Sequence, residues 1–470
     1  MGTARASSVV VDAIHGDIHL RSSEWRVVDT ASFQRLRHIK QLGLGQLVYP
    51  NATHTRFAHS LGVLGVMDKV CTVAQAPLNL SPQDVADVRL AGLLHDIGHY
   101  PHSHLMEKVD EVRLTEEFVE GVKRPLDVTR PSYPDHVELG ELILTSQPDL
   151  TNAAGGTERA QRIADLFRSI VPGREHLSKL VHSSLDIDRL DYLPRDAHAT
   201  GVPYGQVDLN YLLNNLKASP TGMLGVEDKA IPAAEQSLFA RFFMYRTVYY
   251  HKTTHGLEEA CRQMLRRLRD RGVKALARDG DEIRQIVTSK RLGEFTDAYV
   301  DRLVLEAATS DDPLIGSLAN AIRNRRPPKL LKEVCVFEEA GKQHHAGTTF
   351  TQSCQHRLRA LANGFGIRLG QFLFCATKPL TLEERGSRLS ETQARELQPE
   401  EREELIKVFL PGQDEPVSLV SIPHSLVATC SNHFFQAFRL YLVWDDSTSD
   451  KTVDETVGKL RQEVGSWDRP

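Results

Sequence analysis

The sequence predicts a mainly α-helical core with a smaller α+β C-terminal lobe, and three observations carry that prediction. Apolar residues recur at helical spacing through roughly the first 300 residues. Beyond about Arg326 the break "RNRRPPKLL" is followed by short apolar runs with strand character. At 470 residues the chain is also too long for one minimal core, so a large unit with an appended lobe, or two to three domains of about 150 residues, is expected. The division is drawn at 1–325 for the helical core and 326–470 for the lobe, to which oligomerisation or regulation is assigned.

The clearest helix is "SPQDVADVRLAGLLHDIG". Ser81 caps it, Pro82 suits the first turn, Asp84 complements the dipole, Val85, Val88 and Leu94 supply the apolar face, and Gly98 terminates it. His95 and Asp96 therefore fall at the end of a buried helix. Similar spacing runs through "HTRFAHSLGVLGVMDKVCTVA", "HLSKLVHSSLDIDRLDYL" and "EQSLFARFFMYRTVYYHKTTHGLEEACRQMLRRLRD". In the lobe, "KEVCVFEE", "IRLGQFLFCA", "IKVFLP", "VSLVSI" and "FRLYLVW" read as short strands. The charge-rich stretch from Thr381 to Leu405 reads as a solvated helix or a mobile insertion.

Composition excludes several classes. A formal net charge of -5 argues against a dominant nucleic-acid footprint. No uninterrupted apolar run approaches the roughly 18 residues of a membrane span, and "MGTARASSVVVDAIHG" lacks a secretory core. Ala6 stands where a myristoylation motif needs Ser or Thr. The six cysteines are scattered without a CxxC pair, so reduced thiols and a cytoplasmic, soluble protein are expected.

The chemistry concentrates in "LLHDIGHYPHSH", Leu93 to His104, with four histidines and an aspartate in twelve residues. Imidazoles and carboxylates brought together from several helices can hold a divalent metal. His59 lies upstream on another predicted helix, and Asp186, Asp188, Asp191 and Asp196 lie downstream. Asp188, Tyr192 and Asp196 are spaced i, i+4, i+8 along one helix face, with Pro194 bending the helix locally. The plain alternative is a set of partly buried structural histidines and a solvated face of intrahelical salt bridges.

The order His, then HisAsp, then Asp resembles the HD-domain metal-dependent phosphohydrolases. The runs "DAIHGDIHL", "VVDTASFQRLRHIKQLGLGQLVYPNATHTRFAHSLGV", "LAGLLHDIGHYPHSH" and "DIDRLDYLPRDAHATGV" resemble more closely the deoxynucleoside triphosphate triphosphohydrolases, in the branch that carries a sterile alpha motif before its HD domain. The likeness runs from about Asp12 to Lys252, and no sterile alpha motif is expected here. It implies an all-helical HD-domain core, with His59, His95, Asp96 and Asp188 as ligands of iron, manganese, zinc or magnesium. It implies His99, His104 and His136 around the scissile phosphate, with Glu107 supporting the catalytic histidine. Arg56, Arg189 and Arg241 are assigned to the triphosphate, Gln41 and Asp196 to the 3′-hydroxyl, and Leu42, Tyr192 and Tyr249 to the sugar face. The implied reaction is hydrolysis at the α-phosphate, releasing deoxynucleoside and intact triphosphate.

The resemblance further implies a homo-oligomer, dimer or tetramer, activated by GTP or dGTP. Asp29, Gln34 and Arg37 match guanine-reading positions, and Lys229 and Lys252 match phosphate-binding ones. Without the resemblance, the segment holding Asp29, Gln34 and Arg37 reads as an N-capped amphipathic helix with a basic face. Ser8, Val11, Tyr211 and Glu227 depart from the regulatory pattern, so guanine sensing is expected to persist while the deoxynucleotide regulatory site is altered or absent. Tyr245 replaces a histidine beside the substrate phosphates. Two competing readings follow: an HD phosphohydrolase for another nucleotide, and a nucleic-acid-binding protein using "RQMLRRLRDRGVKALAR" and "RNRRPPK". The resemblance implies a purpose in nucleotide-pool control or in defence against a virus or phage.

Overall fold

The computed structural model describes residues 7–111, 131–168, 175–181, 187–220, 223–339, 345–382, 406–430, 433–445 and 448–469. Asp186 and nearly all of the stretch from Thr381 to Leu405 lie outside them. The chain enters through an antiparallel hairpin, β1 (Ser7–Asp12) and β2 (Gly16–Arg21), with Ser7 opposite Arg21 and Asp12 opposite Gly16. This strand pair is not announced by the helical spacing around it. Next come α1 (Ser22–Val28) and the short α2 (Ala31–Gln34), capped by Thr30, whose hydroxyl accepts from Phe33 N–H.

After α2 the backbone tightens into a 3-10 turn, Arg35–His38, so the N-capped helix of the plain reading is α-helical only as far as Gln34. Arg35 is buried instead, where it donates to the carbonyls of Ile97 (2.5 Å), His99 (3.0 Å) and Phe295 (2.8 Å). Three carbonyl acceptors offset the cost of burying that guanidinium.

Helix α3 (Arg56–Ala74) is long and apolar enough to cross a membrane by length and composition, yet 67% of that stretch is buried inside the protein. It is a core helix, and it packs against α4 (Pro82–Leu94). Ser81 and Asp84 make a reciprocal capping box there, with Pro82 in the first turn. The helix ends four residues before Gly98: His95 is its C-cap, and tight turns from Leu94 to Ile97 and Asp96 to His99 fold the HisAsp pair back toward α3.

Asp135 caps α5 (His136–Ser146). The "HLSKLVHSSLDIDRLDYL" run yields α6 (Glu175–Val181) and α7 (Ile187–Thr200), the latter carrying Pro194 inside it. Strands β3 (Leu216–Ala218) and β4 (Leu224–Glu227) then precede α8 (Ile231–Met244) and α9 (Lys252–Asp270). The single helical run expected over this region is split by a wide turn in which Tyr250 N–H donates to the Tyr245 carbonyl at 2.7 Å. Helix α10 (Asp297–Ala307) closes on the 40s loop.

The last part mixes strands and helices as its short apolar runs predict. β5 (Lys329–Glu339), β6 (Phe372–Ala376), β7 (Leu380–Thr381) and β10 (His433–Leu442) form one antiparallel sheet with β10 central. The buried β5 side chains Leu331, Val334 and Val336, the first out of step because the pairing with β10 shifts register between Leu330 and Lys332, meet Phe350, Leu358 and Leu460 from α11 (His345–Phe365) and α12 (Asp450–Val464) in a separate apolar cluster. β8 (Lys407–Phe409) and β9 (Val417–Ser418) leave that sheet: β8 pairs parallel with β4, Val226 opposite Val408. The main apolar core consequently runs from Ile18 and Phe33 through α3 and α4 to Val408 and Tyr441.

Candidate metal centre and active site

Three helices deliver the four expected ligands to one point. His59 comes from the first turn of α3, His95 and Asp96 from the end of α4, and Asp188 from the first turn of α7. His59 Nε2 lies 2.8 Å from Asp188 Oδ1 and 3.4 Å from Asp96 Oδ2; His95 Nε2 lies 3.2 Å from Asp96 Oδ1 and 3.8 Å from Asp188 Oδ1. These are close approaches without hydrogen-bond alignment, since both Nε2 atoms are buried and lack a hydrogen-bond partner. Ligands about 2.1 Å from one cation are about 3 Å apart along an octahedral edge and slightly more in a tetrahedron. The donor set fits a divalent cation by chemistry and spacing, and His59, His95 and Asp96 lie within the spread a metal needs.

The opposite ring nitrogens are tied down. His59 Nδ1 lies 2.7 Å from Asp191 Oδ2, and His95 Nδ1 lies 2.8 Å from the Gly92 carbonyl, so the ring N–H sits there and Nε2 faces the centre. Arg56 NH1 donates to Asp96 Oδ2 at 2.7 Å, and its Nε donates to Ser103 Oγ at 2.9 Å. Burial lowers the pKa of His59, but Asp188, Asp191 and Asp96 outweigh it and hold the imidazole at about 10. Burial raises Asp96, yet Arg56, His95 and His99 keep it well below the usual carboxylate range.

Beside this point stands a wall of histidines. Glu107 accepts from His104 Nδ1 at 2.8 Å with one oxygen and from His136 Nδ1 at 2.9 Å with the other. Burial raises Glu107, but His136 and His104 hold it well below the ordinary carboxylate range. His99 is buried, and burial followed by the Arg56 charge pushes it well below an ordinary imidazole, so it is neutral at pH 7. His99, His104 and His136 are also close enough to be considered as metal ligands. The His99 and His136 rings, however, stack at 4.2 Å and 12°, and parallel in-plane lone pairs do not converge on one ion. Such an arrangement suits hydrogen bonding and proton exchange better than metal ligation.

The positions assigned to a sugar also meet. Leu42, Tyr192 and Tyr249 pack on one apolar cluster with Leu193 and Met244. Asp196 accepts from His54 Nε2 at 2.6 Å and Tyr249 hydroxyl at 2.7 Å, and Gln41 is buried with its Oε1 lacking a hydrogen-bond partner. Arg189 follows Asp188 on α7, and both Arg189 and Arg241 act electrostatically on Tyr192. Arg241 NH1 donates to the Thr381 carbonyl at 3.2 Å, and its guanidinium lies 4.8 Å from the Tyr245 ring centre.

Of the positions that the resemblance assigns to regulation, Asp29 is the exposed C-cap of α1, Gln34 Oε1 accepts from Arg37 Nε at 2.6 Å, and Arg37 stacks over Phe57 at 3.6 Å. Lys229 is exposed and paired with Glu227 at 2.8 Å, while Lys252 opens α9. The basic series on α9 is partly internal: Arg262 and Arg269 are buried, and Arg271 pairs with Asp312. Arg35, His54, Ser103, His15 and Arg195 lie within the runs that carry the resemblance, but no spacing or motif singles them out individually as part of the site. Asp191 and Arg195 sit four apart on α7, a spacing typical of a solvated salt bridge, yet both are buried.

Residues 56–194 match the HD domain family model, and residues 207–339 match the HD associated region. The chain is an HD-domain protein. Among curated proteins it is 28% identical to the deoxynucleoside triphosphate triphosphohydrolase SAMHD1 of Gallus gallus over 54% of this chain and 44% of that one. The Homo sapiens SAMHD1 is 25% identical over 71% of this chain and 56% of that one. An uncharacterized protein of Methanocaldococcus jannaschii, MJ1154, is 35% identical over 52% of this chain and 46% of that one. The chain thus spans about half the length of the curated relatives it matches. The fold is shared with the crystal structure of a phosphohydrolase from Bacteroides thetaiotaomicron, with a TM-score of 0.68 at 22% identity, covering 93% of this chain and 99% of the other.

Proposed function

We propose that the chain hydrolyses deoxynucleoside triphosphates to deoxynucleoside and inorganic triphosphate with a divalent cation held by His59, His95, Asp96 and Asp188. The observation that carries this reading is the convergence of those four side chains beside three histidines braced by Glu107. The relatives named as triphosphohydrolases point the same way. A cation in this set supplies a water of lowered pKa and offsets phosphate charge.

The chain's own groups do the rest. Glu107 fixes His104 and His136 through Nδ1, leaving the Nε2 edges for substrate; His104, with 42% of its side chain exposed, is the open one: it takes up a solvent proton at Nε2, its charge offset by Glu107, and passes that proton to the leaving 5′ oxygen. Neutral His99 and the neighbouring His136 line the phosphate, and Arg56, Arg189 and Arg241 offset its charge. Gln41 and Asp196 take the 3′-hydroxyl, while Leu42, Tyr192 and Tyr249 cover the sugar face. Guanine nucleotide at Asp29, Gln34 and Arg37, with Lys229 and Lys252, activates a homo-oligomer.

The test is product analysis of manganese-loaded protein with each deoxynucleoside triphosphate, with and without GTP, beside Asp188→Ala. Deoxynucleoside plus triphosphate, absent in the variant, supports the reading; survival of every deoxynucleotide under all conditions removes it. A second substrate class, another nucleotide, is favoured by Tyr245, whose ring packs 4.8 Å from Tyr249 in place of the expected imidazole. The same assay with monophosphates and cyclic nucleotides separates the two.

A further inference from the structure

The groups behind His59 form a continuous polar chain that the proposed reaction does not use. Asp191, fully buried, accepts from four donors: His59 Nδ1 at 2.7 Å, His15 Nε2 at 2.6 Å, and Arg195 Nε and NH2 at 2.8 Å each. Arg195 continues outward in a paired contact to Asp12, NH1 to Oδ2 at 2.9 Å and NH2 to Oδ1 at 3.0 Å. Asp12 Oδ1 also accepts the backbone N–H groups of Ile14 and His15, which fixes the turn between β1 and β2. Gly62, one turn beyond His59 on α3, makes room: a Cβ there would overlap the Asp191 carboxylate and the Arg195 guanidinium.

A buried carboxylate that satisfies two charged or polar neighbours is ordinary structural wiring. The additional feature here is its terminus on the ring nitrogen of a candidate ligand. A carboxylate on Nδ1 fixes the imidazole tautomer and its rotation, and it makes Nε2 a better donor to a cation. How strongly Asp191 does so depends on how much of its charge Arg195 takes, and Arg195 is shared with Asp12. The hairpin therefore reaches His59 through α7 side chains about 180 residues away from it in sequence.

We propose that Asp12, His15, Asp191 and Arg195 are positioning residues through which the β1–β2 hairpin sets the cation affinity of the centre. This rests on the metal-centre reading above. The discriminating variant is Asp12→Asn, which touches neither His59 nor any ligand and retains an oxygen for the turn. It leaves the Arg195 charge on Asp191 alone, so the brace on His59 weakens.

The test titrates Mn²⁺ calorimetrically into the chelator-stripped full chain, with metal content and the metal-free melting temperature measured in parallel. Asp191→Asn is expected to weaken Mn²⁺ binding about 10- to 100-fold, and Asp12→Asn by about three- to tenfold, being one contact further out. His15→Ala should fall in the lower range and His15→Gln, which keeps an N–H donor, should recover most of it. Val11→Ala, an exposed change in the same hairpin, should bind as the parent does. Variants that melt lower but bind Mn²⁺ with unchanged affinity would assign the chain a purely structural role and overturn the proposal. If Asp191→Asn does not fold, Asp12→Asn and the His15 pair decide by the same criterion. Should Asp188→Ala bind Mn²⁺ as tightly as the parent, the metal-centre reading itself fails, an outcome separable from unchanged binding in the hairpin variants alone.

Discussion

Gly43 sits where the loop carrying Gln41 and Leu42 meets the turn that leads into His104. Its φ is +48°, in the left-handed region, and a Cβ built on it would lie 2.9 Å from the His102 carbonyl oxygen. Ordinary contact begins at 3.4 Å, so Gly43→Ala forces the His102–Ser103 backbone back by a few tenths of an ångström. That backbone has little slack: His102 and Ser103 are themselves left-handed, at φ 53° and 58°, and the His102 N–H is held by Asp297 Oδ1 at 2.6 Å. Two costs combine, about 1 kcal/mol for a side chain at positive φ and about 1–3 kcal/mol for the overpacked contact. Gly272→Ala separates them, because Gly272 has φ +68° and an added Cβ there meets nothing within 4 Å, so it carries only the first cost. Thermal melts should therefore show a small loss for Gly272→Ala and two to four times that loss for Gly43→Ala. Ser103 also orients Arg56, so kcat/KM for the proposed deoxynucleotide hydrolysis should fall about tenfold in Gly43→Ala only. Equal melting losses with unchanged kinetics in both variants would refute the claim that this close approach holds the site.

Replacing Glu107 by Gln puts an N–H against one of its two imidazoles; kcat should drop about 10²- to 10³-fold with bound manganese unchanged, and activity within twofold of the parent would remove Glu107 from the proton-transfer apparatus. For His59 the folded pKa of about 10 lies above the unfolded value near 6.5, so its contribution is complete below about pH 6.5 and is lost as pH rises through 10. Chelator-treated protein should lose stability from pH 6.5 to 9.5 in urea titrations, while manganese, taking the place of the proton, should flatten that slope; parallel slopes would contradict the assignment. Gly458→Ala, at an exposed position inside α12 with nothing near its added methyl, should raise stability by about 0.5–1 kcal/mol, and a lower melting temperature would show that α12 is constrained there in some other way.

The candidate ligand set is supplied by the resemblance, and local signals place part of it: the cap before α4 is advertised, whereas Thr55 before α3 makes no side-chain cap bond. Ser81 and Asp84 place the start of α4, and from there His95 and Asp96 follow by counting. The brace behind His59 is hidden for the opposite reason. Its hairpin half announces nothing about Asp191, and the i, i+4 spacing of Asp191 and Arg195 is the same for a buried pair as for a solvated one. Arg35 misleads in the same way: a cation near a helix end is normally wet, and only the carbonyls of Ile97, His99 and Phe295 explain its burial. The strand runs of the last part are visible, whereas the departure of β8 from its neighbours to join β4 depends on a pairing that no local pattern encodes.

That pairing has a consequence for how the chain is made. Val408 fills the main core and lies opposite Val226, about 180 residues earlier, and Gly225 leaves the room for it: a Cβ there would lie 2.7 Å from the Lys407 carbonyl oxygen. On the ribosome, the helices bearing His59, His95 and Asp188 emerge long before β8 does. They must wait with an open strand edge at β4 until translation passes residue 409, an interval of roughly ten seconds or more at bacterial-type rates. During it the nascent protein exposes a pairing edge to every other chain in its vicinity, so yield on expression should depend on chaperones and temperature more than the finished fold suggests.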